Sequence, residues 1–398
     1  MPGLITERNF PTSWTIKRFK YCAQICNGGE YSDIEVEEGG YPVIGSGGEF
    51  ARASKFSYCG KSVLLGRKGT VDKPLFVDGA FWCVDTMFYT KIKDFMYEKY
   101  LYYCALCFPF DYYVTSTALP SMTQRDLGSQ EIAVPPKKEQ KAIADFLDKE
   151  CAQIDSIAAD LEKQIALLQQ YKKSLITEMT TPDDSCKWTK TKIKYVGEIR
   201  GRIGFRGYTV EDTVDPGTPG CAVVLGGTNI MKDGTTDYEN LTFLSENKYF
   251  ESPEIMLYGG EILITKVGAG TGENSVYDGR FERATTNPNV MILIPKKFVN
   301  SQYVNYLLLS KPIKEDMKVE STKSGAQPAI NQGYVNNIVI YIPTLERQDY
   351  IVEYLDTKCA EIDDTIRIKN EQLKLIAQHK KSLIYEYVTG KKRVKEVQ

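Results

Sequence analysis

A segment of 47 residues occurs twice in this chain, and the duplication constrains the fold more than any other feature of the sequence. Residues 135–181 and 343–389 align without a gap at an offset of 208 (343 − 135), with 19 identical positions of 47. Unrelated segments of ordinary composition would share about 3. Both copies contain the block KKSLI, at Lys172–Ile176 and Lys380–Ile384. The chain is therefore expected to alternate two variable segments with two copies of one structural element.

The repeated segment has the hydrophobic spacing of a long helix. In the first copy an apolar residue recurs every seven positions and three neighbours support it: Ile154, Leu161, Leu168 and Leu175, with Ile157, Ala158 and Ile165. The second copy is more polar, because Thr365 and Lys369 stand where the first has Ile157 and Leu161. A helix this polar is not stable alone at full length. The pattern therefore predicts that the two helices pair as an antiparallel coiled coil.

The two variable segments are rich in glycine turns and short β-prone runs, which predicts β-rich domains. The runs are Tyr41–Gly45, Ser62–Gly66 and Phe81–Tyr89 in the first segment and Cys221–Gly227, Glu261–Gly268 and Asn289–Pro295 in the second. Each segment also contains one predicted helix, Lys93–Phe108 and Val299–Lys311. The predicted fold is α+β, with β-rich domains at 1–134 and 188–342, helices at 135–181 and 343–390, a linker at 182–187 and a flexible tail at 391–398.

The composition argues against several classes of protein. No uninterrupted apolar run approaches 18 residues, and the first residues lack the basic and apolar pattern of a secretory signal. Ten cysteines in 398 residues do not make a disulfide scaffold, so a cytoplasmic protein without a membrane partner is expected. The net charge of −2 neither indicates nor excludes a nucleic-acid partner, because the placement of positive groups matters more than their sum.

The residue types that catalysis requires are not grouped in the sequence. The single histidine, His379, falls within the second helical repeat, and the acids Asp183 and Asp184 fall where the first helix should end. The glycine-rich stretch Gly268–Gly272 lacks the Lys-Ser/Thr ending of a phosphate-binding loop. Cys22, Cys26, Cys104 and Cys107 have spacings that could supply zinc ligands, but Cys104 and Cys107 lie in an aromatic, predicted helical stretch, where buried free cysteine is the preferred interpretation. We therefore expect a non-catalytic chain without a metal site.

Several motifs carry a resemblance to a known family. In both helical copies a proline and a glutamine-bearing run precede AIADFLD (Ala142–Asp148) or YIVEYLD (Tyr350–Asp356), followed by QID or EID and by KKSLI. The variable segments carry further motifs at Tyr41–Gly48, Leu64–Thr70, Phe81–Thr86, Gly226–Ile230, Gly260–Gly272 and Thr285–Val290. On these motifs nearly the whole chain resembles the specificity subunits of type I restriction–modification systems. The second variable segment resembles a different subtype from the first, with Lys266–Gly268 where the first has Arg67–Gly69.

The resemblance implies two target-recognition domains that read the two halves of a bipartite, asymmetric site in double-stranded DNA. It also implies two methyltransferase subunits as partners and, in a restricting system, a restriction or translocase subunit. The methylated base would be adenine. S-adenosylmethionine and ATP with magnesium would be bound by those partners, and no cofactor by this chain.

We expect base contacts from loops in which glycine accompanies arginine, lysine or asparagine, because glycine admits close backbone approach and these side chains pair with base edges. The predicted DNA-binding residues are Ser46, Gly47, Gly66, Arg67 and Lys68 in the first domain and Arg200, Arg202, Arg206, Thr228, Asn229 and Lys266 in the second. The structural alternative is that the glycines only form turns and the cations are solvated. The functional alternative is a scaffold with two β-rich protein- or glycan-binding domains, which the isoelectric point near 5.8 would suit.

Overall fold

The chain folds into two compact units, each of which contains parts of both repeated helices. The computed structural model describes residues 11–113, 120–184, 186–204, 207–323, 325 and 327–394. Unit 1 comprises Met1–Glu162 and Asn370–Gln398, and unit 2 comprises Lys163–Lys369. Among the described residues no helix is both long and apolar enough to cross a membrane.

In unit 1 the variable segment is β-rich. Its strands are β1 (Thr15–Arg18), β2 (Ala23–Asn27), β3 (Tyr41–Gly45), β4 (Gly48–Ala53), β5 (Tyr58–Cys59), β6 (Ser62–Gly66), β7 (Leu75–Val77), β8 (Ala80–Cys83), β9 (Met87–Ile92) and β10 (Glu131–Val134). Its helices are α1 (Phe19–Cys22), α2 (Glu98–Leu106), α3 (Phe110–Tyr113), α4 (Gln124–Ser129) and the start of the long helix α5 (Lys137–Met179). The sheets have strand orders β2-β9-β6-β7, β4-β3-β8-β5 and β1-β10.

Strand β6 is buried along its whole length because both of its faces are covered. Val63 and Leu65 pack into the core that includes Tyr100 and Leu101 of α2, whereas Leu64 packs into a second core with Phe81. A continuous apolar run is the sequence expected of such a strand. The run SVLLG was predicted as a strand and forms β6 over the same residues.

The strand predicted over Phe81–Tyr89 is wrong in one respect. The structure divides it into β8 and β9, with a turn at Val84, Asp85 and Thr86 that is closed by the Met87 N–H donating to the Val84 carbonyl at 3.0 Å. The helix predicted over Lys93–Phe108 is shorter, since α2 begins only after Tyr97.

Unit 2 has the same sheet topology as unit 1, with two four-stranded sheets and one two-stranded sheet. Its strands are β11 (Thr189–Lys192), β12 (Gly197–Arg200), β13 (Ala222–Leu225), β14 (Thr242–Leu244), β15 (Met256–Leu257), β16 (Ile262–Thr265), β17 (Asn274–Val276), β18 (Ala284–Thr286), β19 (Val290–Pro295) and β20 (Val339–Ile342). Its helices are α6 (Ile193–Val196), α7 (Glu246–Phe250), α8 (Ser301–Leu309), α9 (Lys311–Thr322), α10 (Gln332–Asn337) and the start of the long helix α11 (Leu345–Val388). The strand orders are β12-β19-β16-β17, β14-β13-β18-β15 and β11-β20.

A repeated glutamine fixes the entrance of each long helix in the same way. Gln140 Nε2 donates to the Pro135 carbonyl at 2.9 Å, and its Oε1 accepts from the Tyr97 N–H at 2.7 Å. At the offset of 208, Gln348 Nε2 donates to the Pro343 carbonyl at 3.0 Å, and its Oε1 accepts from the Asn300 N–H at 2.9 Å. Both glutamines are buried, so these bonds satisfy groups that water cannot reach. The glutamine therefore ties the short helix of each domain to the long one.

The long helices pair antiparallel within each unit. In unit 1, Phe146 stacks near Tyr387 with centroids 4.5 Å apart, and Asp155 pairs with Lys380 at 2.6 Å. Residue numbers thus rise along one helix as they fall along the other. In unit 2, Gln164 contacts Lys369 at 2.6 Å, and Lys172 pairs with Asp363 at 2.6 Å in the same sense. The predicted α+β fold with an antiparallel coiled coil is confirmed.

The seam differs from the prediction at one position. Ile157 was expected to support the seam, but 53% of it is exposed. Ile154, Ala158, Leu161 and Leu168 are only partly exposed. In the second helix Lys369 occupies the position of Leu161 in the alignment and donates to Gln164, so the polar replacement is accommodated by a hydrogen bond instead of apolar packing.

Candidate functional site

Three loops lie side by side at one end of the sheets in unit 1. They are the hairpin turn Ser46–Gly47 after β3, the segment Arg67–Gly69 after β6 and the turn Val84–Thr86 between β8 and β9. They meet because β3 runs parallel to β8 and β6 runs antiparallel to β9. The second loop donates two backbone N–H groups, from Arg67 and Lys68, to the Thr86 carbonyl at 2.9 and 3.2 Å. We call these three loops loop cluster 1.

A concavity of about 460 Å³ opens between the first and third loops of this cluster. Its walls are Tyr31, Gly45–Gly48, Phe50 and Val84–Thr86. The rings of Tyr31 and Phe50 meet edge to face with centroids 5.4 Å apart. Gly48 has a φ of +101°, and a Cβ on it would have no atom within 4 Å, so the turn leaves the backbone open to a ligand.

Gly66 has a structural role, which corrects its assignment as a DNA contact. It is buried at the end of β6, and a Cβ there would lie 2.4 Å from the Thr70 carbonyl oxygen. The absence of a side chain lets the chain fold back closely after the strand. Gly66 therefore presents no surface to a ligand.

Arg67 and Lys68 bring positive charge to loop cluster 1. The Arg67 guanidinium donates to the Asp85 carbonyl at 3.2 Å and lies 5.9 Å from the centre of the Phe88 ring. Lys68 is exposed. In the part of the chain that the structure describes, no carboxylate forms a salt bridge with either residue, so both charges are available to an anion.

Unit 2 contains an equivalent set of loops, which we call loop cluster 2. It consists of the 3₁₀ turn Gly227–Asn229 after β13, Lys266–Gly268 after β16 and Asn287–Asn289 between β18 and β19. The Lys266 N–H donates to the Asn289 carbonyl at 2.8 Å, as Arg67 does to Thr86. Lys266 therefore holds the place of Arg67 in the backbone, although the residue types differ.

The exit of each variable domain passes beside the second loop of its cluster. The Gly69 N–H donates to the Pro120 carbonyl at 2.9 Å, and the Gly268 N–H donates to the Pro328 carbonyl at 3.1 Å. Gly69 and Gly268 both have positive φ, at 78° and 106°. The two clusters therefore share two backbone hydrogen bonds, one to the third loop and one to the exit of the domain.

Asn229 does not have the free side chain that was predicted for it, and this is a correction. Only 4% of the residue is exposed. Its Oδ1 accepts from the Gly226 N–H at 2.9 Å, while Nδ2 donates to the Asp237 and Asn240 carbonyls at 3.1 and 3.3 Å. A base reader needs its amide free for two hydrogen bonds. Its neighbour Thr228 is exposed, so the Thr228 side chain is accessible to a ligand of the cluster.

In the basic run Arg200–Tyr208, neither Arg200 nor Arg202 is an exposed cation without a partner. Arg200 makes a two-pronged pair with Glu198, with Nε to Oε1 and Nη2 to Oε2 both at 3.0 Å. Arg202 is half-buried, and this desolvation lowers the pKa of its guanidinium. Its Nε and Nη1 are buried and have no hydrogen-bond partner among the described residues. Arg206 lies outside the described residues.

Three exposed polar residues of the clusters were not predicted from the sequence, namely Asp85, Thr86 and Asn289. All three lie in the third loop of their cluster. The signal was present, because they belong to the motifs FWCVDT and TTNPNV that carry the family resemblance. Asp85 and Thr86 fall inside the single strand predicted over Phe81–Tyr89, and Asn289 begins the predicted β-prone run Asn289–Pro295.

The cysteines belong to the structure rather than to this site. Cys22 and Cys104 lie in the core of unit 1, and burial raises the pKa of the Cys22 thiol to about 11. Within the described ranges no three His, Cys, Asp or Glu side chains are grouped to hold a metal ion. His379 is exposed on α11, and Asp183 accepts a hydrogen bond from Trp188 Nε1 at 3.2 Å.

The known proteins that this chain resembles in sequence are specificity subunits of type I restriction enzymes. The profile of the type I restriction modification DNA specificity domain matches residues 11–167 and 186–378. The type I restriction enzyme MjaVIII specificity subunit of Methanocaldococcus jannaschii is 24% identical over 302 residues, which cover 71% of this chain and 66% of that protein. The EcoBI specificity subunit of Escherichia coli is 23% identical over 349 residues, covering 79% and 72%. The chain thus spans about two thirds of the length of these relatives.

Two solved structures share the fold. A chain from work on complex assembly and conformational transition of the type I R-M system has a TM-score of 0.73 at 14% identity and covers 96% of this chain and 100% of that one. The HsdS subunit from Thermoanaerobacter tengcongensis has a TM-score of 0.51 at 14% identity, covering 97% and 99%.

Proposed function

This chain belongs to the type I restriction modification DNA specificity domain family, and from that premise we propose that it is the non-catalytic subunit that selects the DNA sequence for a methyltransferase complex. Loop cluster 1 would read one half of a bipartite site and loop cluster 2 the other half. The observation that carries the proposal is that the two clusters share backbone hydrogen bonds but present different side chains. Two readers built alike with different residues would select two different half-sites.

The chemistry of the loops fits the edges of base pairs. Arg67 offers the paired donors that match O6 and N7 of guanine, and Lys266 offers a cation for the same acceptors. Lys68, exposed and without a salt-bridge partner among the described residues, suits a phosphate. DNA contacts by Ser46, Gly47 and Thr228 stay predictions, and so do those by Arg67, Lys68 and Lys266.

The partners follow from the duplicated helices. The two copies align without a gap over 47 residues and begin with the same glutamine hydrogen bonds, which suits two copies of one methyltransferase subunit. Those subunits would bind S-adenosylmethionine and transfer its methyl group to adenine. In a restricting system a further restriction or translocase subunit would use ATP and magnesium.

Methylation mapping tests this function. The chain would be expressed with its methyltransferase subunit in a host without that activity, and modified bases would be mapped genome-wide. A bipartite, asymmetric motif with an unread spacer is the expected result. A continuous palindrome, or no new methylation, would contradict the proposal.

Binding to duplex DNA at increasing salt separates this function from the scaffold alternative. Affinity should fall steeply with salt, because phosphates release counterions when cations such as Lys68 bind them. A protein- or glycan-binding scaffold would not bind duplex DNA, or its binding would not depend on salt in this way.

A further inference from the structure

We propose that Asp85 is a base-reading residue whose carboxylate accepts a hydrogen bond from the exocyclic amino group of cytosine or adenine in the major groove. The inference rests on the proposed function, because it requires that loop cluster 1 faces DNA. It names the chemical class of base edge that this cluster selects.

The backbone around Asp85 is held firmly while its side chain is free. The Asp85 carbonyl accepts from the Arg67 guanidinium at 3.2 Å, and the next carbonyl, of Thr86, accepts from the Arg67 N–H at 2.9 Å. The turn is closed by Met87 N–H to Val84 at 3.0 Å. Because these bonds fix the backbone of the turn in advance, little backbone freedom is lost on binding, which favours a specific contact.

The Asp85 side chain is exposed and lines the concavity between the first and third loops. Among the residues that the structure describes, none donates a hydrogen bond to its carboxylate or forms a salt bridge with it. It is also the one ionisable acid among the residues that line this concavity. The carboxylate is therefore an unused hydrogen-bond acceptor on the wall of the concavity.

An unused carboxylate on a surface that meets DNA is unfavourable unless it is given a donor, because the phosphates repel it. In the major groove the base edges that donate hydrogen bonds are the amino groups of cytosine N4 and adenine N6. Guanine O6 and thymine O4 present acceptors at the corresponding positions and would be rejected. Asp85 thus complements Arg67, which offers donors from the adjacent loop.

Loop cluster 2 has no such acceptor at this position. The Thr86 carbonyl in unit 1 and the Asn289 carbonyl in unit 2 accept equivalent hydrogen bonds from the second loop of their cluster. The residue that precedes this carbonyl is Asp85 in unit 1 and Pro288 in unit 2. Proline has no polar side chain. The contact is therefore confined to the half-site read by loop cluster 1.

The test compares Asp85→Asn and Asp85→Ala with the control Asp78→Asn, each as the full chain with its methyltransferase subunit. Asp78 is exposed next to the start of β8, at the opposite end of the same strand from Asp85. Binding is measured by competition with duplexes that carry each of the four base pairs at every position of the mapped site. The wild type should reject guanine and thymine at one position of one half-site by about 10- to 100-fold.

Asp85→Ala should lose that discrimination at that position alone. Asp85→Asn should additionally accept guanine or thymine, because its amide Nδ2 donates to a keto oxygen. Asp78→Asn should match the wild type. If both Asp85 variants keep the wild-type preference at every position, the inference is overturned while the proposed function stands. If the wild-type complex neither binds nor methylates DNA, the proposed function itself fails.

Discussion

Arg67 and Lys266 occupy equivalent backbone positions, so the difference between the two clusters there is one of side-chain chemistry. The guanidinium is a planar fork that can hold two acceptors at once, whereas the ammonium is a point charge on a flexible stem. The orientation of the Arg67 guanidinium is also restrained by the hydrogen bond that it donates to the Asp85 carbonyl. The two half-sites should therefore be read with different stringency at this position.

Arg67→Lys should weaken base discrimination more than overall attraction to DNA. The charge is retained, so the salt dependence of binding should hardly change, whereas preference for guanine at one position should fall by about 10-fold. Competition binding with substituted duplexes measures both effects. Lys266→Arg is the matched control, which should leave the first half-site unaffected. A uniform loss of affinity across all duplexes would assign Arg67 to phosphate contact instead.

Asn229 is a case in which burial decides the role of a residue type that also reads bases. Its side chain accepts a hydrogen bond from the Gly226 N–H and donates two, to the Asp237 and Asn240 carbonyls. Asn229→Ala should lower the free energy of unfolding by about 2 kcal/mol, because the backbone groups it satisfies are left without partners. Thr228→Ala, one residue earlier and exposed, should be close to neutral in chemical denaturation. Equal stability of the two variants would show that water replaces the asparagine.

At the scale of the elements, a tryptophan and an ion pair stabilise the start of each long helix. The residue that the helix contributes to the ion pair is an acid in unit 1 and a base in unit 2. In unit 1, Trp14 Nε1 donates to Glu139 Oε2 at 3.1 Å, and Arg393 pairs with Oε1 at 2.6 Å. In unit 2, Trp188 and Arg347 both donate to Asp183, each at 3.2 Å. Arg347 stands at the position of Glu139 in the repeat. The helix start is thus acidic in one unit and basic in the other.

This polarity predicts a charge-reversal result. Glu139→Arg should destabilise unit 1 by about 2 kcal/mol, because it places a cation at a buried site beside Arg393. The loss is smaller than for a fully buried pair, since Arg393 is partly exposed. Adding Arg393→Glu should recover part of the stability by restoring opposite charges. The measurement is chemical denaturation.

Lys141→Ala removes an exposed pair with Asp145 on the same helix and serves as the control, for which little change is expected. A double variant no more stable than Glu139→Arg would show that packing around Trp14, not charge, limits the site.

At the scale of the whole molecule, each long helix is divided between the units, α5 after Glu162 and α11 after Lys369. The pairs on either side of this division are internal to one unit, as for Asp155 with Lys380 and Gln164 with Lys369. Residues inserted at the division in both helices would therefore leave these pairings intact.

Four residues inserted after Glu162 and four after Lys369 should lengthen the unread spacer of the DNA motif by one or two base pairs. The insertion adds roughly one helical turn of about 5.4 Å, and successive base pairs are about 3.4 Å apart. Methylation mapping of the variant gives the spacer directly. Four residues inserted in the linker 182–187 serve as the control and should leave it unchanged. An unaltered spacer in the double insertion would show that the helices do not set it.

Local sequence determined the α+β architecture, the two long helices and most strands of the cores. The strands and helices depend on the local period of apolar residues, and the duplication depends on the match between 135–181 and 343–389, so both are properties of the sequence alone. The entrance of α5 at Lys137 and the extent of β6 follow from short windows of the sequence. The family also followed from local motifs.

Tertiary structure decided which polar side chains remain free. Asn229 looks like a free loop residue in the sequence, but its role depends on the Asp237 and Asn240 carbonyls that folding brings close to it. Glu139 and Arg393 are 254 positions apart, and no local pattern encodes their pairing. Asp85 is exposed on a turn because β8 and β9 are separate strands, which the apolar pattern of Phe81–Tyr89 does not indicate. A hydrogen bond satisfies a side chain through whatever lies nearest in space, and that neighbour is set by the fold.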